Sequence, residues 1–130
     1  MRLIAALALL APLVVFAGCG PAPSPTAGPA AVAGVPPELG AGEALFNAKC
    51  AACHGAGAQG TETGPPFLHA LYVPGHHGDD AFVNAAKGGV QAHHWQFGDM
   101  PPVEGVTEGD VREIVAYVRW LQAGATPGIH

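Results

Sequence analysis

The stretch that most constrains this chain is Cys50-Ala51-Ala52-Cys53-His54, the one place where two cysteines stand close together. Residues three apart on a helical turn project to the same side. Two sulfurs so placed can bond the vinyl groups along one edge of a haem. The residue that follows then brings an imidazole up to the iron. The spacing therefore reads as covalent attachment of a c-type haem, with Cys50 and Cys53 as the anchors and His54 as the proximal ligand. A zinc site, a disulfide and a thioredoxin-like redox pair are the other chemistries open to these residues. A zinc site asks for a second ligand pair at similar spacing. There is no second cysteine pair, although His76-His77 and His93-His94 exist. A redox pair would want a strand ahead of it, and the residues ahead read as helix.

The N-terminus bears on the compartment. Arg2 precedes an apolar run from Leu3 to Ala17 broken only by Pro12. Such a run is short for a membrane span and suits the core of a signal peptide. It ends in Phe16-Ala17-Gly18-Cys19, which resembles the lipobox of bacterial lipoproteins, with Phe16 where Leu is commoner. The other reading is a plain signal peptide with an incidental cysteine. The cysteine count favours lipidation: of three cysteines, two belong to the haem motif and Cys19 falls where a lipid would be attached. Residues 1–18 are therefore expected to be a leader. Residues 19–37, rich in Pro, Ala and Gly, form a lipid-anchored linker. The folded domain follows over 38–130. Six prolines between Pro21 and Pro37 remove ladder donors and leave no periodic apolar face. Extended at about 3.1 Å per residue, this tether would reach on the order of 50 Å.

The folded part has fewer than 100 residues, which makes a marginal apolar core without a bound group. Ala41 to Cys53 reads as one helix with Gly42, Phe46, Cys50 and Cys53 along one face. A short helix is expected over Ala81 to Lys87, capped by Asp79 or Asp80, with Phe82, Val83 and Ala86 inward. From Glu108 to Gln122, Val111, Ile114, Val115, Val118 and Leu121 recur at helical spacing, with Tyr117 and Trp120 flanking them. Thr107 and Asp110 stand in capping-box positions ahead of it. Gly55 to Gly64 and Val90 to Val103 read as loops.

In this order the pieces resemble the class I cytochromes c, small monohaem proteins, over about Gly40 to Ala123. The motifs that carry the likeness are Gly42 and Phe46 ahead of CxxCH, Ile114 and Tyr117 on the last helix, Gly64-Pro65, and Met100 followed by proline. The resemblance implies an all-α cytochrome c fold of three to four short helices around one covalent haem c. It implies that a carbonyl of the Gly64-Pro65 segment accepts a hydrogen bond from His54, and that Met100 is the distal iron ligand. Trp95 would pack on the haem, its indole offered to a propionate. His93 and His94 read as loop residues or propionate donors, and His76-His77 as a possible stray-metal pair.

The expected function is one-electron transfer in an exported respiratory chain, with redox proteins as partners and no nucleic acid or small-molecule substrate. The alternatives are a haem domain with a labile distal ligand, acting as peroxidase or gas sensor, and a tethered subunit of a larger oxidase or reductase. Many members of the family are lysine-rich at the haem edge, whereas this chain is acidic. Without Arg2 it has four Lys and Arg against ten Asp and Glu, a formal charge of −6. The partner surface is therefore expected to be neutral, basic or itself tethered. For the N-terminus, mass spectrometry of the mature protein is expected to find cleavage before Cys19 and a diacylglycerol thioether on its sulfur. An unmodified Cys19, or cleavage elsewhere, would rule the lipid anchor out.

Overall fold

The computed structural model describes residue 32 and residues 34–124. The expected leader, Cys19 and most of the expected linker lie outside the described residues. Four α-helices are present among those residues: α1 Gly40–Lys49, α2 Ala51–His54, α3 Asp79–Gly88 and α4 Glu108–Gly124. Single 3₁₀ turns occupy Pro37–Leu39, Ala56–Ala58 and Ala70–Tyr72. The architecture is all-α, as expected, and no helix among the described residues is long and apolar enough to cross a membrane.

Helix α4 is the spine. Its stripe of Val111, Ile114, Val115 and Val118 is buried along its length. Tyr117, beside that stripe, is fully buried and packs across α1, as the family resemblance implies. One side of α4 crosses α1 at Gly42. A Cβ at Gly42 would run into the Glu113 carbonyl and lie 3.1 Å from the Tyr117 Cβ. Only glycine lets the two backbones approach this closely. One turn on, Phe46 meets Tyr117 at 5.6 Å between ring centres and Phe67 at 6.4 Å. These side chains, with Ala51, Ile114 and Val118, make the main core. The other side of α4 takes α3 through Val83 and Ala86 against Val111 and Val115. Val32 and Val35, at the end of the expected linker, also pack on the main core.

Two local expectations are corrected. The helix expected over Ala41 to Cys53 is broken at Cys50, whose φ of −120° separates α1 from α2. The hydrogen-bond ladder still runs through it, from Cys50 N–H to the Phe46 carbonyl and from His54 N–H to the Cys50 carbonyl. Asp79 and Asp80 are not caps: Gly78 holds the cap position of α3 with no side-chain bond. The two carboxylates tie α3 to α4, Asp79 to Arg119 at 2.9 Å and Asp80 to Arg112 at 3.3 Å. The capping box of α4 forms as expected, with Thr107 N–H donating to Asp110 at 2.8 Å and Asp110 N–H to the Thr107 hydroxyl at 3.1 Å.

Replacing Gly42 by leucine should force the helices apart, with overpacking of about 1–3 kcal/mol. Denaturant unfolding should show that loss, while haem stays attached because Cys50 and Cys53 are untouched. Unchanged stability would mean that the crossing tolerates a side chain.

Candidate functional site

Between the two core clusters lies a cavity of about 620 Å³ with predominantly apolar walls. That is within the range of about 300–1,000 Å³ typical of ligand and prosthetic-group pockets. Cys50, Cys53 and His54 stand on one wall; Met100 and Trp95 line the same cavity. Helix α1 delivers the cysteine wall, because Phe46 is locked under α4 and the next turn must follow it.

His54 is buried, with 6% of its surface exposed. Its Nδ1–H donates to the Pro65 carbonyl at 2.9 Å. Its ring stacks on Phe67 at 4.0 Å between centres, tilted by 26°. The bond fixes the tautomer, so Nε2 is the nitrogen with its lone pair free for a metal. Burial holds the imidazole below the usual histidine range, against the smaller opposing effect of the Pro65 bond. The ring is therefore neutral near pH 7, the form that ligates. The Pro65 carbonyl is placed by Gly64, where a Cβ would lie 2.7 Å from the Cys53 carbonyl oxygen. This close approach binds the 64–67 segment to α2.

The Cys50 thiol is pushed up to about 11, chiefly by burial and then by Cys53. A thiolate is disfavoured on this wall, whereas a neutral thioether suits it. Donor set, apolar walls and oriented imidazole fit a covalently bound haem.

Met100 sits at the end of the 90–100 loop, which is closed on itself. Val90 and Met100 exchange two backbone hydrogen bonds of 2.9 Å each. Gly89, at φ +75°, makes room for that bridge: a Cβ there would come within 2.7 Å of the Met100 carbonyl oxygen. Past Pro101-Pro102, Val103 N–H donates to the Ala86 carbonyl at 2.8 Å and ties the far end to α3. Trp95 gives its indole N–H to the Tyr72 hydroxyl at 3.2 Å.

Several site residues were not read from the sequence. Phe67 supports the imidazole and meets Phe46, Tyr72 and Phe82 edge-on. Arg119 and Gln122 hold the irregular 67–77 segment: Gln122 donates to the carbonyls of Phe67 at 2.7 Å and Tyr72 at 3.0 Å, and Arg119 to that of His77 at 2.7 Å. The signal available was a long polar side chain at the edge of an apolar helical stripe.

The cytochrome c family model matches residues 39–122, nearly all of the folded part. The chain belongs to the cytochrome c family. It therefore carries covalently bound haem c with iron, and the family's activity is haem-based electron transfer between redox proteins. Similar solved structures include two c-type cytochromes. One is cytochrome cL from the marine methylotrophic bacterium Methylophaga aminisulfidivorans MPT, 28% identical with a TM-score of 0.49, the match covering 64% of this chain and 52% of that one. The other is the c-type cytochrome XoxG from Methylobacterium extorquens AM1, 22% identical with a TM-score of 0.55, covering 68% and 52%. The chain thus spans about half the length of either, and the second likeness bears on the fold. No curated protein matches the chain.

Phe67→Ala should remove the imidazole's stacking partner together with a core aromatic. A loss of about 3–5 kcal/mol is expected for such a truncation. Guanidinium unfolding of the haem-loaded protein should show it, and a loss well below 1 kcal/mol would mean that Phe67 does not support this wall.

Proposed function

We propose that this chain is a one-electron carrier whose iron is held by His54 on one side and by Met100 on the other. The observation that carries the reading is that both residues line one apolar cavity, His54 with Nδ1 occupied by Pro65 and Met100 on a loop pinned at both ends. A haem held by His54 and Met100 would supply one-electron chemistry without a site for substrate, and the thioether would raise its potential relative to a second imidazole. The protein's own contribution is positional. Pro65 orients the imidazole, Phe67 backs it, and the apolar walls exclude water. The Val90–Met100 bridge and the Val103 tie limit how far the thioether can swing away. The chain acts as a carrier rather than an enzyme in this reading, because no position at the iron is left open.

The haem domain works outside the cytoplasmic membrane, held to a bacterial membrane by a lipid on Cys19 and passing electrons between redox proteins. The export-type leader and lipobox-like Ala17-Gly18-Cys19 support this placement. Its partner surface is neutral, basic or itself tethered, consistent with the acidic balance of the chain.

The ferric spectrum tests the ligand set. The wild type should show a low-spin haem with the weak long-wavelength charge-transfer band of thioether ligation. Met100→His should keep low-spin iron and lower the midpoint potential, because imidazole stabilises ferric iron better. Met100→Ala should lose the band and admit added imidazole or cyanide. An unchanged spectrum and potential in Met100→Ala would overturn the assignment and with it the high-potential carrier.

A further inference from the structure

Apart from His54 and Met100, three histidines converge at the rim of the cavity. His76 and His77 lie on the turn that follows Tyr72, where the N–H groups of both donate to the Val73 carbonyl, at 3.0 and 2.9 Å. His94 comes from the 90–100 loop, 18 residues along the chain from His76. One ring nitrogen from each of the three lies within 4.8 Å of the other two. We propose that His76, His77 and His94 bind a divalent transition ion of the zinc or copper type at the rim of the cavity, whose lining His77 and His94 share with the haem-anchoring residues.

Three features carry this. First, the His76 and His94 Nε2 atoms are 3.3 Å apart. With metal–nitrogen bonds of about 2.0–2.1 Å, the edge of a coordination tetrahedron is about 3.3–3.4 Å. The pair already stands at that edge, and only His77 must close in. Second, His77 is oriented for ligation. Its Nδ1–H donates to the Leu71 carbonyl at 2.5 Å, which leaves Nε2 as the lone-pair nitrogen. A carbonyl behind a histidine ring is the usual outer support of a metal ligand. Third, the donors are all imidazoles. That set favours zinc, copper or nickel over calcium or magnesium, which take oxygen.

Two adjacent histidines make a poor site by themselves, since neighbouring side chains generally diverge. The turn at Val73 and the arrival of His94 from a distant loop remove that objection. The rings also crowd one another: desolvation, then His93, His76 and His77, hold His94 below the usual histidine range. A neutral ring is the form a metal needs. The converging group holds no ring nitrogen of His93, so solvent would complete the coordination. The His76 and His94 Nε2 atoms share one hydrogen across their 3.3 Å contact. On binding, that hydrogen moves to the Nδ1 of the ring that held it, and no proton is lost overall. The bound ion would fasten the 90–100 loop to the 73–77 turn.

Calorimetric titration of the haem-loaded full chain, free of any polyhistidine tag, with zinc should give one saturable site per chain. Copper should bind more tightly than zinc. Neither calcium nor magnesium should compete. His94→Ala and His76→Ala, both at exposed positions, should each weaken zinc at least about tenfold, the scale on which supporting groups of metal sites act. Zinc should raise the thermal midpoint of the wild type and not of His94→Ala. No saturable binding below millimolar zinc would overturn the proposal. So would binding that survives both substitutions, or equal competition by calcium.

Discussion

The crossing of α1 over α4 is the constraint on which the rest depends. It exists because Gly42 has no side chain to hold Glu113 and Tyr117 away. The close approach buries Phe46 completely, and the burial fixes the direction in which α1 delivers Cys50 one turn later. Helix α4 then uses its other side for α3, so a single helix supports both core clusters. The cavity lies between them, with Val111 and Ile114 of α4 on its lining. A chain of this size buries a modest apolar area. The bound haem c completes that core as much as it occupies a site in it, and losses at the crossing should be felt on the haem wall.

Much of this was legible in the sequence, for identifiable reasons. The last helix announced itself by five apolar residues at helical spacing and by Thr107 with Asp110 ahead of it, and those side chains form the expected bonds. The haem motif is a short pattern that one local geometry satisfies, and the bond from His54 to the Pro65 carbonyl was implied by the family resemblance of Gly64-Pro65. What escaped depends on contacts between distant segments. Nothing local marks the break at Cys50, which has neither proline nor glycine beside it. Asp79 and Asp80 read as caps because that is their commonest local use, whereas Arg119 and Arg112 arrive from α4 to take them. Phe67 was only an apolar residue after two prolines until the fold laid it on His54. The convergence of His76, His77 and His94 is likewise invisible in one dimension, because two loops create it.

Charge is arranged to leave little free positive field. Lys87, Arg112 and Arg119 each lie within 4.0 Å of a carboxylate. Lys49, on the cavity lining, donates to the Glu104 carbonyl at 3.2 Å. The exposed pairs among these contribute little to stability, but they cancel cations that could otherwise steer an acidic partner. The exception is Arg119, whose side chain is only 17% exposed and is shared between Asp79 and the backbone of the 72–77 segment. There the cation acts as a structural tie. It holds irregular backbone whose carbonyls would otherwise lack donors, a requirement any buried loop must meet.

The two sides of the cavity are held by different means, and this asymmetry bears on how the proposed carrier would be tuned. The His54 side rests on helix, on the Gly64 contact, on a hydrogen bond and on a stacked ring, all within or against the main core. The Met100 side is a loop whose tip is exposed and whose closure rests on the two Val90 bonds and the Val103 tie. With the ligand pair proposed, the chemistry of sulfur and imidazole sets the range of the potential. Retention of the sulfur, by contrast, depends on that loop staying closed. Local opening draws on segments with few buried contacts, so the distal side should yield before the proximal one. Whatever fastens the 90–100 loop, whether a docked redox partner or an ion held between it and the 73–77 turn, would therefore act on the electron carrier without touching the iron.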